Sequence, residues 1–151
     1  LFHNTSSHLE CKRIINNIYE FTDFLVNKVN ITNFGAEFNH KVVYQDTCCS
    51  LRELGLKDEG RKLLSNVKGI EIVEMQRPEF CCGFGSGMFS IQHEALSVAM
   101  AERKIKDAMS TGEEYIVTND ISCLMQLDSC IKKQKFDIQV VHIADILSQG
   151  V

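Results

Sequence analysis

Lys41-Val42-Val43-Tyr44-Gln45-Asp46-Thr47-Cys48-Cys49-Ser50-Leu51 changes character in its middle. Val42-Val43-Tyr44 is a continuous run of β-branched and aromatic residues, the pattern of a short strand buried on both faces. Behind it, Leu51-Arg52-Glu53-Leu54-Gly55 opens a helical stretch over 51–67 that breaks near Gly55. A buried strand feeding a helix is one unit of a sheet whose strands run parallel, because the helix carries the chain back to the same edge.

The unit recurs towards the C-terminus. Ile70-Glu71-Ile72-Val73 reads as a second strand, followed by a periodic helix over 90–109 with Leu96, Met100, Ile105 and Met109 on one stripe and Thr111-Gly112 as its stop. Tyr115-Ile116-Val117-Thr118 is a third strand, 122–133 a helix, Ile138-Gln139-Val140-Val141 a fourth strand and 143–148 a last helix. Right-handed crossovers then put helices on both faces. The expected class is α/β, with a Rossmann-like, mostly parallel four-stranded sheet flanked by helices. Upstream, Ile14, Ile15, Ile18, Phe21, Leu25 and Val29 keep helical spacing over 9–29, with Ser6 or Ser7 as N-cap, and predict a long leading helix joined by an irregular connector. Residues 1–40 are thus expected to be an N-terminal helix and connector, and 41–151 a cysteine-rich α/β domain. The chain starts at Leu1 rather than Met, which suggests the remnant of a missing upstream half.

Bulk composition narrows the function. With 151 residues, 44% of them hydrophobic, the chain supports one packed domain. A formal charge of −4 provides no net basic field, so neither nucleic acid nor an anionic lipid surface is a favoured partner. No stretch approaches the roughly 20 apolar residues of a membrane span, and no secretory signal pattern is present. These features predict a soluble, cytoplasmic chain without a transmembrane segment. Seven cysteines, an odd number without a secretory signal, argue for metal ligation or thiol chemistry rather than a disulfide framework.

Cys48 follows the first expected strand, Cys81 and Cys82 the second, and Cys123 the third. In a parallel sheet these loops share the carboxyl edge, where such folds bind ligands. Helix N-termini at that edge favour thiolate over thiol. Glycines in Cys81-Cys82-Gly83-Phe84-Gly85-Ser86-Gly87 let backbone N–H groups approach a bulky centre. Adjacent cysteines face one tetrahedral ion poorly, whereas a multi-iron cluster can take each sulfur on a different metal, so the pair favours iron-sulfur over zinc. Pro78 imposes an extended approach to the pair. Cys11 and Cys130 read as small buried hydrophobes. His93 reads as a helix-face residue, His142 after the fourth strand as a candidate support for a metal ligand, and Asp46 and Asp120 as helix caps. Neither a complete Rossmann nor a P-loop fingerprint surrounds Gly83-Phe84-Gly85, which argues against nucleotide binding.

Tyr44-Gln45-Asp46-Thr47-Cys48 with Leu51-Arg52-Glu53-Leu54-Gly55, then Cys81-Cys82-Gly83-Phe84-Gly85, then Asp120-Ile121-Ser122-Cys123-Leu124-Met125-Gln126, resemble the cysteine-rich CCG domain family. This family includes the cysteine-rich component of heterodisulfide reductase, the iron-sulfur subunit of glycolate oxidase and lactate-utilization protein A. The likeness runs over about 19–149, includes the tail Val141-His142-Ile143-Ala144-Asp145-Ile146-Leu147, and is strongest to the lactate-utilization branch. Members carry two similar cysteine-rich halves, and this chain corresponds to the second. The resemblance implies an iron-sulfur cluster, of the 4Fe-4S type, on Cys48, Cys81, Cys82 and Cys123. Gly83 and Gly85 would supply N–H groups to the sulfurs, and Cys49, where relatives have histidine, a further sulfur. Gln126 stands where the family pattern has its last cysteine. The implied role is an electron-transfer subunit of a complex oxidising L-lactate or a related 2-hydroxy acid such as glycolate. Such a subunit would be inactive without flavin or iron-sulfur partners, through which it would reach any membrane-bound complex. Two alternatives stay open: a zinc-binding assembly domain, and a thiol-disulfide redox protein using Cys48-Cys49 or Cys81-Cys82.

Overall fold

Each apolar run found in the sequence forms a strand. The computed structural model describes residues 6–85 and 87–150. Strands β1 (Lys41–Tyr44), β2 (Glu71–Val73), β3 (Tyr115–Thr118) and β4 (Gln139–His142) form one sheet in the order β2-β1-β3-β4, with every pairing parallel. Val43 sits opposite both Val73 and Ile116, so β1 and β3 take the centre. Val42, Val43, Ile116 and Val117 are wholly buried there, each contributing about 1.5–3 kcal/mol of hydrophobic stabilisation.

Strand alternation divides the side chains between two cores. Val43 and Ile116 face helices α6 (Glu94–Met109) and α7 (Ile121–Gln134) through Ala101, Ile105, Ala108 and Leu127. Val42, Tyr44 and Val117 face α4 (Glu59–Leu64) and α8 (Ile143–Leu147) through Leu63, Leu64, Ile143 and Ile146, with Val26 and Ala36 from upstream of β1 in the same cluster. The helical stretch after β1 breaks as expected, α3 (Cys48–Glu53) ending before Gly55, whose φ is +69°.

Two helices differ from the sequence expectation. The long leading helix is instead α1 (His8–Ile15) and α2 (Phe21–Asp23), the latter continuing as a wider π-helical turn over Phe24–Val29. Asn17 turns its amide back onto the carbonyl of Arg13, and Glu20 starts a new helix by accepting from the N–H groups of Thr22 and Asp23. The apolar stripe of α1 finds no core, with Leu9, Ile14 and Ile15 all more than 60% exposed, so burial does not hold the two pieces in register. The helix expected over 90–109 is likewise two, α5 (Gly87–Gln92) and α6, meeting at His93 in a non-helical conformation. Among the described residues no helix is long and apolar enough to cross a membrane.

Candidate metal centre

Sheet order brings the cysteine loops together. β1 lies between β2 and β3, so the loops leaving their carboxyl ends are neighbours. The helices after β1 and β3 pack on opposite faces, α4 on one and α7 on the other, which opens the crevice where parallel α/β sheets place their sites. Cys48 is the first residue of α3 and Cys123 lies in the first turn of α7, while Cys81 and Cys82 lie between Pro78 and α5.

The thiols gather at this edge. Cys82 donates to Cys123, their Sγ atoms 2.8 Å apart, and Cys49, Cys48, Cys81 and Cys82 lie near enough to influence one another's protonation in turn. All are free thiols. The Gly83 N–H donates to Cys81 Sγ at 3.4 Å. Gly85, two residues on, makes a left-handed turn (φ +65°). Gly83 itself has φ +88°, and a Cβ there would collide with the Ser97 carbonyl oxygen.

The protonation tendency of the thiols reverses the expectation from helix N-termini. The hydrogen bond that Cys82 donates to Cys123, with burial behind it, pushes Cys82 up to about 12, and interaction with Cys82 together with burial raises Cys81 as well. Burial, reinforced by neighbouring thiols, also raises Cys48 and Cys49. Neighbouring thiols and partial burial disfavour charge here more than one helix terminus favours it. Metal binding at such thiols is coupled to proton release.

Several supports were not visible in the sequence. Asp46, expected as a helix cap, instead pairs with Arg61 at 2.6 and 3.1 Å, and the same guanidinium holds Glu74 at 2.7 and 2.9 Å. Arg61 thereby clamps the loop carrying Cys48 to the loop leading to Cys81. Lys104 is 1% exposed and donates to the carbonyls of Pro78 and Arg77, at 2.5 and 3.3 Å, and so fixes the approach to the cysteine pair; burial lowers its pKa to about 8. The signal for it was legible: Ala101, Lys104, Ile105 and Ala108 share one helix stripe, and only the lysine is out of place. Arg52, Arg103 and Lys104 line a cavity of about 250 Å³ with Phe80, Met100 and Cys81, placing positive charge beside a site that becomes anionic on deprotonation. Gln126 turns away from sulfur and donates to Ser97 Oγ at 2.9 Å, and that hydroxyl donates to the Gly83 carbonyl at 2.7 Å. A chain of two hydrogen bonds thus holds the glycine loop.

Other expected residues fall as follows. Asp120 caps α7 by accepting from the N–H groups of Ser122 and Cys123, at 2.7 and 3.2 Å, and so orients the turn that carries Cys123. His142 accepts from the Ala144 N–H as N-cap of α8, with its ring 6.3 Å from that of Phe21. His93 is exposed at the junction of α5 and α6. Cys130 is buried in the same core as Cys82 and Cys123, whereas Cys11 is half-buried on α1. Ser86 lies outside the described residues.

Thiols gathered at the carboxyl edge of a parallel sheet are soft donors of the kind that bind metal. Among the described residues no three His, Cys, Asp or Glu side chains are arranged to hold one ion.

Sequence comparison agrees with this architecture. Residues 42–128 match the CCG cysteine-rich domain, more than half of the chain, and the chain belongs to that family. It is 41% identical over 135 residues to lactate utilization protein A of Oceanobacillus iheyensis, covering 89% of this chain and 55% of that protein. To lactate utilization protein A 2 of Bacillus cereus it is 37% identical, with 88% and 54% covered. An uncharacterized Escherichia coli protein, YkgE, is 35% identical, with 85% and 53% covered. The chain spans about half the length of the curated relatives it matches.

Proposed function

We propose that this chain carries an iron-sulfur cluster, of the 4Fe-4S type, on Cys48, Cys81, Cys82 and Cys123, and relays electrons in a complex that oxidises L-lactate or a related 2-hydroxy acid. What supports the reading is the gathering of those thiols from three separate loops, with Cys82 and Cys123 in direct contact and Cys48 and Cys81 near enough to affect each other's protonation. The relatives named for lactate utilization support the substrate class. A bound cluster supplies one-electron chemistry that the side chains lack, and the chain's own residues then ligate, orient and shield it. Cys49, next to Cys48 and exposed, is available as a further sulfur. Gly83 donates an N–H bond that moderates the charge on sulfur, and Arg52, Arg103 and Lys104 offset it from the cavity beside Cys81.

Hydride chemistry belongs to flavin or nicotinamide partners in this reading, and the chain works as one cytoplasmic subunit, reaching any membrane-bound complex through them. Zinc fits less well, because the adjacent Cys81 and Cys82 cannot easily both face one tetrahedral ion. Anaerobic purification from the native host tests the proposal. Iron and acid-labile sulfide in comparable amounts per chain, with visible absorption bleached by reductant, are expected. Stoichiometric zinc without sulfide would overturn it in favour of a structural metal domain.

A further inference from the structure

Gln45 lies at the carboxyl end of β1, wholly buried, and neither Nε2 nor Oε1 of its side chain has a hydrogen-bond partner. Its backbone still belongs to the sheet, the N–H donating to the Val117 carbonyl at 2.9 Å. Alternation along the strand therefore sends its side chain to the same face as Val43, whose core contains Met75, Cys82 and Cys123. A primary amide buried without a partner loses its water and gains nothing in return. Met or Leu would fill this volume without that penalty, so the amide is accounted for by a partner from outside the folded chain. The polar groups on this side of the sheet are Ser97, Lys104 and the thiols. Ser97 and Lys104 already donate to the carbonyls of Gly83 and Pro78, which leaves sulfur, an acceptor once it is deprotonated.

Building on the cluster reading above, we infer that Gln45 belongs to the metal site, its side-chain N–H donating to a thiolate or inorganic sulfide of the bound centre. The amide is held ready by the strand and adds to the N–H group of Gly83, which approaches the sulfur of Cys81 from the glycine loop. It approaches from the sheet. Donors at sulfur favour the more negative, reduced state, so Gln45 raises the reduction potential as well as retaining metal. It is a positioning residue and forms no bond to metal.

The test compares the full chain with Gln45→Met, and with Gln45→Leu as a second variant, each loaded anaerobically with iron and sulfide. Metal-free Gln45→Met is expected to melt at the same temperature as the parent or higher, because no hydrogen bond within the fold is lost. Loaded with iron, it is expected to release the metal to a chelator about tenfold faster and to show a more negative midpoint potential. Iron release and potential equal to the parent in both variants would overturn the inference and assign the amide to an internal water. So would a metal-free Gln45→Met that melts lower or fails to fold, since the amide would then have a partner in the protein. A parent chain that takes up no iron would overturn the cluster reading itself, and the unmodified chain distinguishes that failure from the others.

Discussion

On one face of the sheet Val42, Tyr44 and Val117 meet Leu63, Leu64, Ile143 and Ile146, an aliphatic core of ordinary composition. On the other, Val43 and Ile116 meet Met75, Ala101, Ala108 and three thiols, and a buried lysine lies in the same helix as the alanines. Both faces share β1 and β3, so strand geometry does not separate them. Their side chains do. Small residues on α6 let the helix come close enough for Ser97 to touch the Gly83 loop, and the Gln45 amide at the carboxyl end remains without a partner inside the protein. The aliphatic face holds the fold, and the sulfur face trades part of its packing for a site.

Leu63→Ala attacks the first face and should have the largest effect, about 2–5 kcal/mol of destabilisation in urea unfolding, because the leucine is wholly buried. Iron bound per folded chain should not change, and selective metal loss would erase the distinction between the faces. Gly83→Ala attacks the second. With φ at +88° and the Ser97 carbonyl in the way, it should cost about 1–2 kcal/mol and loosen Cys81 and Cys82, so that chelator removes iron faster than from Leu63→Ala. Equal iron retention in the two variants would show that the glycine loop does not position the sulfurs.

The smallest effect is expected at the clamp joining the two loops. The Arg61 hydrogen bond holds the Glu74 carboxyl below its usual 4.5. A depressed carboxylate stabilises the fold above its unfolded value, and that contribution disappears as pH falls through the lower folded value. The metal-free parent should therefore lose stability more steeply than Glu74→Gln below about pH 4.5. Since the Glu74 side chain is 51% exposed, the difference should be small, about 0.5 kcal/mol or less. Thermal unfolding over a pH series measures it, and parallel curves would mean that Asp46 alone anchors Arg61.

Legibility followed the same division. Strand runs at Val42, Ile72, Ile116 and Val140 and the breaks at Gly55 and Gly112 were readable, since periodicity and turn chemistry act between near neighbours. The cap by Asp120 was also readable, being local. Asp46 misled because its partner, Arg61, lies in a different element, and the leading helix misled because an apolar stripe predicts a helix only where a core receives it. Gln126 reads in the sequence as a missing cysteine, but its bond to Ser97 joins α7 to α6.

By itself the sequence determined the strand-helix alternation and the loops that carry Cys48, Cys81, Cys82 and Cys123, because backbone periodicity and loop position are local properties. Tertiary structure alone decided which thiols touch, because the order β2-β1-β3-β4 makes neighbours of loops far apart in the chain. Burial, which depends on every packed element at once, decided the rest: the Cys82 thiol pushed up, Lys104 enclosed against Pro78, and the Gln45 amide unpartnered beneath the site.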